Sequence, residues 1–295
     1  MAMDTGLSIS GGGILGVGPA HFLSRLEKDL GKTSLYDTFS AFAGTSTGAI
    51  CVGALAEGVK ANDLEKLYKE NGKKIFKKWN RFSPISHLLV THAPTYDNAE
   101  LKVILQNMLK GSFSEWKKEV FVPAFDMISV SNPEKVFDRG DKDIPKWFGV
   151  LASTSAPTYF MPAGKDENWI DGGMFANSPV EILQAGYKKR TGKGEGKFKI
   201  LSLETGMTVT EKGEGGNKSL IGWGEYILSD FVARSERSET YKAKANLGED
   251  NVFVVSPQVT HKYKMDKLEN IDEVVKIWDA EYDKVKNDLL KWLKK

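Results

Sequence analysis

The chain has 295 residues, of which 41% are hydrophobic and 27% are charged. These are the values of ordinary globular proteins, and they exclude a disordered or a fibrous chain. The 41 basic and 39 acidic side chains give a formal net charge of +2, which is too small to attract nucleic acid. The single cysteine, Cys51, and four scattered histidines exclude a disulfide framework and a zinc site of the usual composition, so we expect neither a metal nor a cofactor.

The first sixty residues repeat the order strand, tight turn, helix. Leu7–Ser10 predicts a short strand, the glycines of SGGGILGVG predict a turn, and PAHFLSRLEKDL has the spacing of a helix that Gly31 ends. Phe39–Gly44 then predicts a buried strand, and AICVGALAEG predicts a buried helix that ends at Gly58.

The rest of the chain continues this alternation. The predicted helices are Asn62–Glu70, Asn98–Lys110, PKWFGVLAST, PVEILQAGYKKR and a segment from Leu220 with Trp223, Ile227 and Phe231 in register. The predicted strands are Val120–Val130, its partner KVFD, NWIDGG, FKILSLE and NVFVVS, and Thr205–Lys218 is expected to be a glycine-rich loop.

This alternation implies an α/β fold with a mostly parallel central sheet that helices cover on both faces. At the C-terminus, one stripe of a long amphipathic helix carries Ile271, Val274, Trp278, Tyr282, Val285, Leu289 and Trp292. No linker divides the chain, so we expect a single domain over residues 1–295, with a core at about 5–256 and the helix of about 270–294 docked on it.

Gly11, Gly13 and Gly16 follow a predicted strand and precede a predicted helix, which is the setting of a GxGxxG dinucleotide fingerprint. That fingerprint also needs an acidic residue at the end of the second strand, about 20 residues on. Asp37 is the nearby candidate, but it precedes the next strand. A nucleotide-binding Rossmann module and a simple tight turn are therefore both open interpretations of the glycines.

GTSTG, from Gly44 to Gly48, has the GxSxG pattern of a nucleophile elbow. It lies between a predicted strand and a predicted helix, where a strained turn would project the Ser46 hydroxyl from the end of the sheet. The positive end of the following helix would point at the same place. The alternative interpretation is an ordinary helix cap made by a serine or threonine.

A serine hydroxyl attacks a carbonyl only if a base accepts its proton and preorganised donors bind the oxyanion. Backbone amides of SGGGILG, at a helix start, are suitable donors. His261 comes last in the chain, as the histidine does in α/β-hydrolases, but its segment is polar and a surface histidine is the other interpretation. Asp171 of WIDGG stands at a predicted strand end and is either the base or part of a simple Asp-Gly turn.

Four motifs in order, SGGGILG, GTSTG, ASTSAPTYF and DGGMFANSP, resemble the patatin-like phospholipase family, and the resemblance continues through LSLETG to HKYKMD. It implies a three-layer α/β/α fold and a lipid acyl hydrolase of the phospholipase A or lysophospholipase type that uses no metal. It implies that Ser46 is the nucleophile, that Asp171 is the general base, and that the oxyanion hole is formed by Gly11, Gly12 and Gly13. The supporting motif glycines would be Gly16, Gly44, Gly48, Gly172 and Gly173.

The chain departs from this family at three positions. Ser10 stands where the family usually has an aspartate, and Leu15 stands where it usually has a basic residue. Glu204 of LSLETG replaces a common glycine. The loss of a charge at Leu15 affects either an anionic headgroup or the packing of the glycine loop. Other functions considered are a general carboxylesterase and a catalytically silent scaffold.

The expected partner is a phospholipid or another acyl-ester lipid. Gly72–Phe82 mixes lysines and arginine with aromatic residues, so it either touches a membrane surface transiently or covers the core at a helix end. The apolar run near Gly6 leaves no room for a secretory signal, and no run approaches the roughly 18 to 20 residues that span a bilayer. We therefore expect a cytoplasmic protein that is peripheral at membranes if that segment binds them.

Overall fold

The computed structural model describes residues 3–76, 95–209, 232–260, 266 and 268–295. Its strands are β1 (Asp4–Ile9), β2 (Ala41–Gly44), β3 (Glu119–Asp126), β4 (Glu134–Phe137), β5 (Trp169–Asp171), β6 (Phe198–Leu203), β7 (Met207–Val209), β8 (Val252–Val255) and β9 (Gln258–Thr260). Its helices are α1 (Val17–Asp29), α2 (Thr47–Ala56), α3 (Ala61–Ile75), α4 (Ala99–Met108), α5 (Lys146–Ser153), α6 (Val180–Thr191), α7 (Val232–Leu247) and α8 (Ile271–Lys294).

The main sheet has the strand order β4, β3, β2, β1, β6, β8, and β5 pairs with β3. The pairs that join β3, β2, β1, β6 and β8 are all parallel, whereas β4 and β5 run antiparallel to β3. The predicted α/β architecture with a mostly parallel sheet is confirmed. Because the carboxyl ends of parallel strands share one edge, the turns after β1 and β2 lie on the same side of the molecule.

Two hydrophobic cores lie on opposite faces of this sheet. Successive side chains of a strand point to opposite faces, so Phe42 and Leu201 enter one core while Ala41 and Ile200 enter the other. The larger core receives α1 to α5 and α8, and the smaller core receives α6 and α7. Both faces are therefore covered by helices, as the strand pattern indicated.

The C-terminal helix α8 packs on α1 through its aromatic stripe. The Phe22 ring contacts Trp278 and Tyr282 edge to face, with ring centroids 5.8 and 4.9 Å apart. Gly18 leaves the space that the Trp278 indole fills, because a Cβ there would lie 2.0 Å from the indole nitrogen. The Asp279 carboxylate of α8 lies 3.0 Å from His21 Nε2 on α1, and it also forms an ion pair with Arg25.

Several predicted bounds were wrong. The strand expected over Val120–Val130 ends at Asp126, and the helix expected over Asn62–Glu70 runs from Ala61 to Ile75. The first part of the expected loop Thr205–Lys218 forms β7, which pairs with β9 in a separate two-stranded sheet. The rest of that loop lies outside the described residues, and so do residues 220–231, where a helix was expected to begin. Within the described ranges, none of the helices combines the length and apolar character that a bilayer crossing needs.

Candidate active site

Ser46 occupies a strained turn between β2 and α2. Its φ of 55° and ψ of −122° lie outside the regions that non-glycine residues usually adopt. Backbone segments pack directly against each other here. A Cβ on Gly48 would lie 2.0 Å from the Ile9 carbonyl oxygen, and a Cβ on Gly44 would lie 2.3 Å from the Gly48 carbonyl oxygen. Both glycines are therefore required by the turn, and the strain at Ser46 is the form that nucleophile elbows take.

β3 brings Asp171 close to Ser46 because it pairs with both β2 and β5. The start of β3 pairs with β2, with Phe121 opposite Ala43, and its end pairs with β5, with Ala124 opposite Asp171. Since β4 occupies the other edge of β3, β5 continues the line of β2 just beyond the point where β2 ends. A Cβ on Gly172 would lie 2.2 Å from the Pro123 carbonyl oxygen, so this close pairing requires a glycine.

Ser46 and Asp171 line the same cavity, and the Ser46 hydroxyl lies close enough to the Asp171 carboxylate to favour its ionised form. The Gly173 N–H donates to the same carboxylate at 2.7 Å. Burial raises the pKa of Asp171 to about 6, and the nearby Ser46 hydroxyl and the Gly173 N–H partly oppose that rise. A carboxylate with such a pKa is a better base than an exposed aspartate and is still ionised at neutral pH.

The glycine loop after β1 lies beside this pair and is held from two sides. The Gly11 N–H donates to the Asn177 carbonyl at 3.1 Å, and the Gly11 carbonyl accepts from the Thr205 hydroxyl at 2.5 Å. A Cβ on Gly12 would meet the Thr205 hydroxyl at 2.2 Å, so the loop packs directly on that side chain. The prediction that Gly11 supplies an oxyanion donor needs correction, because its N–H already has an acceptor.

Gly12 and Gly13, by contrast, line a cavity of about 60 Å³ together with Ser46 and Asp171. Among the described residues, the amides of these two glycines donate to no backbone carbonyl. A second, smaller cavity of about 30 Å³ shares Ser46 and Gly13 with the first. Its walls are mostly apolar and include Ile50, Ile75, Phe76, Leu101 and Phe160.

The structure adds residues to which the sequence assigned no role. The Ser46 N–H donates to the Ser153 hydroxyl at 3.0 Å, and Thr154 lines the main cavity. Both belong to ASTSAPTYF, so the motif was visible but its contact was not. Asn177, from DGGMFANSP, also lines the cavity, and its side-chain amide donates to the buried Glu236 at 2.5 Å.

The remaining candidates are placed away from the cavity. Leu15 is buried in the larger core, so its departure from the family pattern concerns packing. Glu204 is also buried and accepts from the Thr240 hydroxyl at 2.9 Å. Gly16 packs on Thr47, the first residue of α2, since a Cβ would lie 2.2 Å from its hydroxyl. Asp37 precedes β2, which ends at Gly44 without the acidic residue that a nucleotide site needs.

His21 is the one histidine among the described residues, and it does not line this site. His21 lies on α1 between Glu65 and Asp279, whose carboxylates raise its pKa against the effect of burial. It therefore ties α1 to α3 and α8. His87, His92 and His261 lie outside the described residues, as do most of Gly72–Phe82.

Comparison with known proteins gives consistent matches. The family model described as Patatin-like phospholipase matches residues 7–183. A cGAMP-activated phospholipase of Vibrio cholerae is 27% identical over 271 residues, which are 80% of this chain and 75% of that protein. Patatin-like protein 2 of Arabidopsis thaliana is 30% identical over 259 residues, which are 74% of this chain and 63% of that protein. Human GIVD cytosolic phospholipase A2 bound to methyl gamma-linolenyl fluorophosphonate has the same fold, with a TM-score of 0.50 at 13% identity over 99% of this chain and 58% of that one.

Proposed function

Since this chain belongs to the patatin-like phospholipase family and is a lipid acyl hydrolase, we propose that it cleaves lipid esters with a Ser46–Asp171 dyad. The observation that carries this proposal is that the strained Ser46 shares one cavity with a buried carboxylate whose pKa is raised to about 6. The pair contains the nucleophile and the base that acyl transfer needs.

The reaction proceeds through an acyl-serine. Asp171 accepts the hydroxyl proton while Ser46 Oγ attacks the ester carbonyl carbon, and the carbonyl electron pair moves onto its oxygen. Collapse of this intermediate expels the alcohol, which takes the proton from Asp171. Water then attacks the acyl-serine and gives its proton to the same carboxylate, and a second collapse releases the fatty acid and returns the proton to Ser46.

The oxyanion in both steps is bound by the amides of Gly12 and Gly13. These glycines face the cavity that holds Ser46, and the N-terminus of α2 adds its positive end at the same point. Gly11 has a different task, because its N–H and carbonyl are bound to Asn177 and Thr205. It fixes the loop so that the next two amides point into the site.

The acyl chain of the substrate enters the smaller cavity. Ile50, Ile75, Leu101 and Phe160 form an apolar wall that begins at Ser46, which suits a hydrocarbon chain on the acyl side of the ester. A phospholipid or lysophospholipid meets this requirement, and so does a simple carboxylic ester with a long acyl group. A membrane contact of Gly72–Phe82 stays a prediction.

Labelling with an alkyl fluorophosphonate tests this function. The reagent should add to Ser46 in the wild-type protein, and peptide mass spectrometry should locate the adduct there. Ser46→Ala should take up no label and should release no fatty acid from a mixed phospholipid panel. Label at another serine, or unchanged fatty acid release by Ser46→Ala, would contradict the proposal. Calorimetric binding of NAD by the unlabelled protein would instead support the nucleotide-binding alternative.

A further inference from the structure

Large apolar side chains are exposed on the edge of the sheet that carries the catalytic cavity. Met127, Ile128 and Val130 follow β3, and their side chains are 48%, 65% and 100% exposed. Met174, three residues after Asp171, is 41% exposed and lines the cavity itself. These four are most of the six large hydrophobic residues that are exposed in the described part of the chain. Three of them lie in one turn after β3 and the fourth lines the cavity, and exposed apolar side chains grouped in this way mark an interaction site.

The position of this segment follows from the strand register. β3 runs parallel to β2, so it ends at the edge of the sheet that carries Ser46. Ala124 pairs with Asp171, and Met127 lies three residues further on, a distance of about 10 Å along an extended chain. The Met127 N–H donates to the Asn168 carbonyl at 2.9 Å, just ahead of β5. The apolar segment therefore begins about 10 Å from Asp171, at the same edge of the sheet as the catalytic cavity.

The turn that presents these side chains is built by specific hydrogen bonds. The Asp126 carboxylate accepts the Asn168 side-chain amide at 2.7 Å and the Ile128 N–H at 3.2 Å. The Asp126 N–H donates to the Pro133 carbonyl at 2.8 Å, which closes the loop. The outward position of the apolar side chains is thus a property of an ordered turn.

The chemistry of the segment selects an apolar partner. Residues 127–133 read MISVSNP and carry no charge, although Asp126 and Glu134 flank them. We propose that residues 127–130 and Met174 form a lipid-docking surface that enters the acyl region of a phospholipid bilayer and holds the mouth of the cavity on it. This inference rests on the proposed function, since a bilayer is where such an enzyme meets its substrate. It differs from an electrostatic contact, because no anionic lipid is required.

A fluorescent label at residue 130 tests the contact directly. Cys51 is buried and its thiol has a pKa of about 12, so it does not compete for a thiol reagent. Val130→Cys labelled with an environment-sensitive nitrobenzoxadiazole should brighten and shift to shorter wavelength with neutral phosphatidylcholine vesicles. Val103→Cys is the matched control, since Val103 is 52% exposed on α4. A response at residue 103 equal to that at 130, or no response at 130, overturns the proposal.

Vesicle sedimentation gives a second, independent readout. All proteins carry Ser46→Ala, so that binding is measured without hydrolysis. Ile128→Ser with Val130→Ser should bind neutral vesicles about tenfold or more weakly, while Val103→Ser should bind like its parent, and melting temperatures should show that all are folded. Unchanged binding of the double variant, or its conversion of a dimer to a monomer with no loss of vesicle binding, contradicts lipid docking. If vesicles bind as expected but the Ser46 enzyme releases no fatty acid, the proposed function fails and the docking surface stands.

Discussion

At the residue scale, the proposed chemistry depends on the ionisation of Asp171. Its pKa is raised to about 6, and the carboxylate form is the base, so kcat/KM should rise with pH and reach half its plateau near pH 6. Hydrolysis of a soluble ester from about pH 4.5 to pH 8.5 measures this profile, and circular dichroism at each pH shows whether the enzyme stays folded. A profile without an ionisation between about pH 5 and pH 7 would contradict the assignment of Asp171 as the base.

Acyl-chain preference is also decided by single residues. Leu101 is buried in the wall of the smaller cavity, so Leu101→Phe should obstruct a long acyl chain more than a short one. We expect the ratio of kcat/KM for palmitoyl to butyryl nitrophenyl esters to fall by about tenfold, and this ratio is insensitive to any loss of folded enzyme. Leu105→Phe is the control, because Leu105 lies on the same helix in the core. A ratio that changes equally in both variants would show that the smaller cavity does not hold the acyl chain.

At the scale of elements, the packing of α8 on α1 depends on one small residue. The Cβ of Gly18→Ala would lie 2.0 Å from the Trp278 indole nitrogen, so the variant should lose about 1 to 3 kcal/mol in the free energy of unfolding through overpacking. Gly53→Ala is the matched control, since Gly53 lies within α2 and a Cβ there would meet the Leu109 side chain at an ordinary contact distance of 3.4 Å. Because alanine has a higher helix propensity than glycine, the free energy of unfolding of Gly53→Ala should be unchanged or raised. Urea unfolding measures both, and equal stability of the two variants would argue against tight docking of α8.

Long helices and apolar strands could be predicted from the sequence, whereas the two short strands of the second sheet could not. The stripe of α8 and the apolar strands β1, β2 and β6 have enough residues for a clear pattern. β7 and β9 have three residues each, so no period identifies them. The end of β3 was misplaced because Ile128 and Val130 favour a strand, whereas Asp126 turns the backbone by accepting two hydrogen bonds.

For the whole molecule, the sequence named the two groups proposed to react but not the arrangement around them. Ser46 and Asp171 stand in recognisable motifs, whereas their proximity depends on β3 pairing with strands more than 40 residues away on either side. Ser153 ends α5, and Asn177 and Thr205 lie in loops. These polar residues hold the site in place, but their residue types are common at such positions and carry no signal of a partner. The role of Gly11 changed for the same reason, since only the fold brings Asn177 to its amide.

The most direct test of the dyad compares two variants on one phospholipid substrate. Fatty acid release should fall by about a thousandfold or more in Asp171→Asn, which removes the base, and should stay within about threefold of wild type in His261→Ala. Circular dichroism should show that both variants are folded. An active Asp171→Asn enzyme together with an inactive His261→Ala enzyme would contradict the dyad and assign the proton transfer to a histidine.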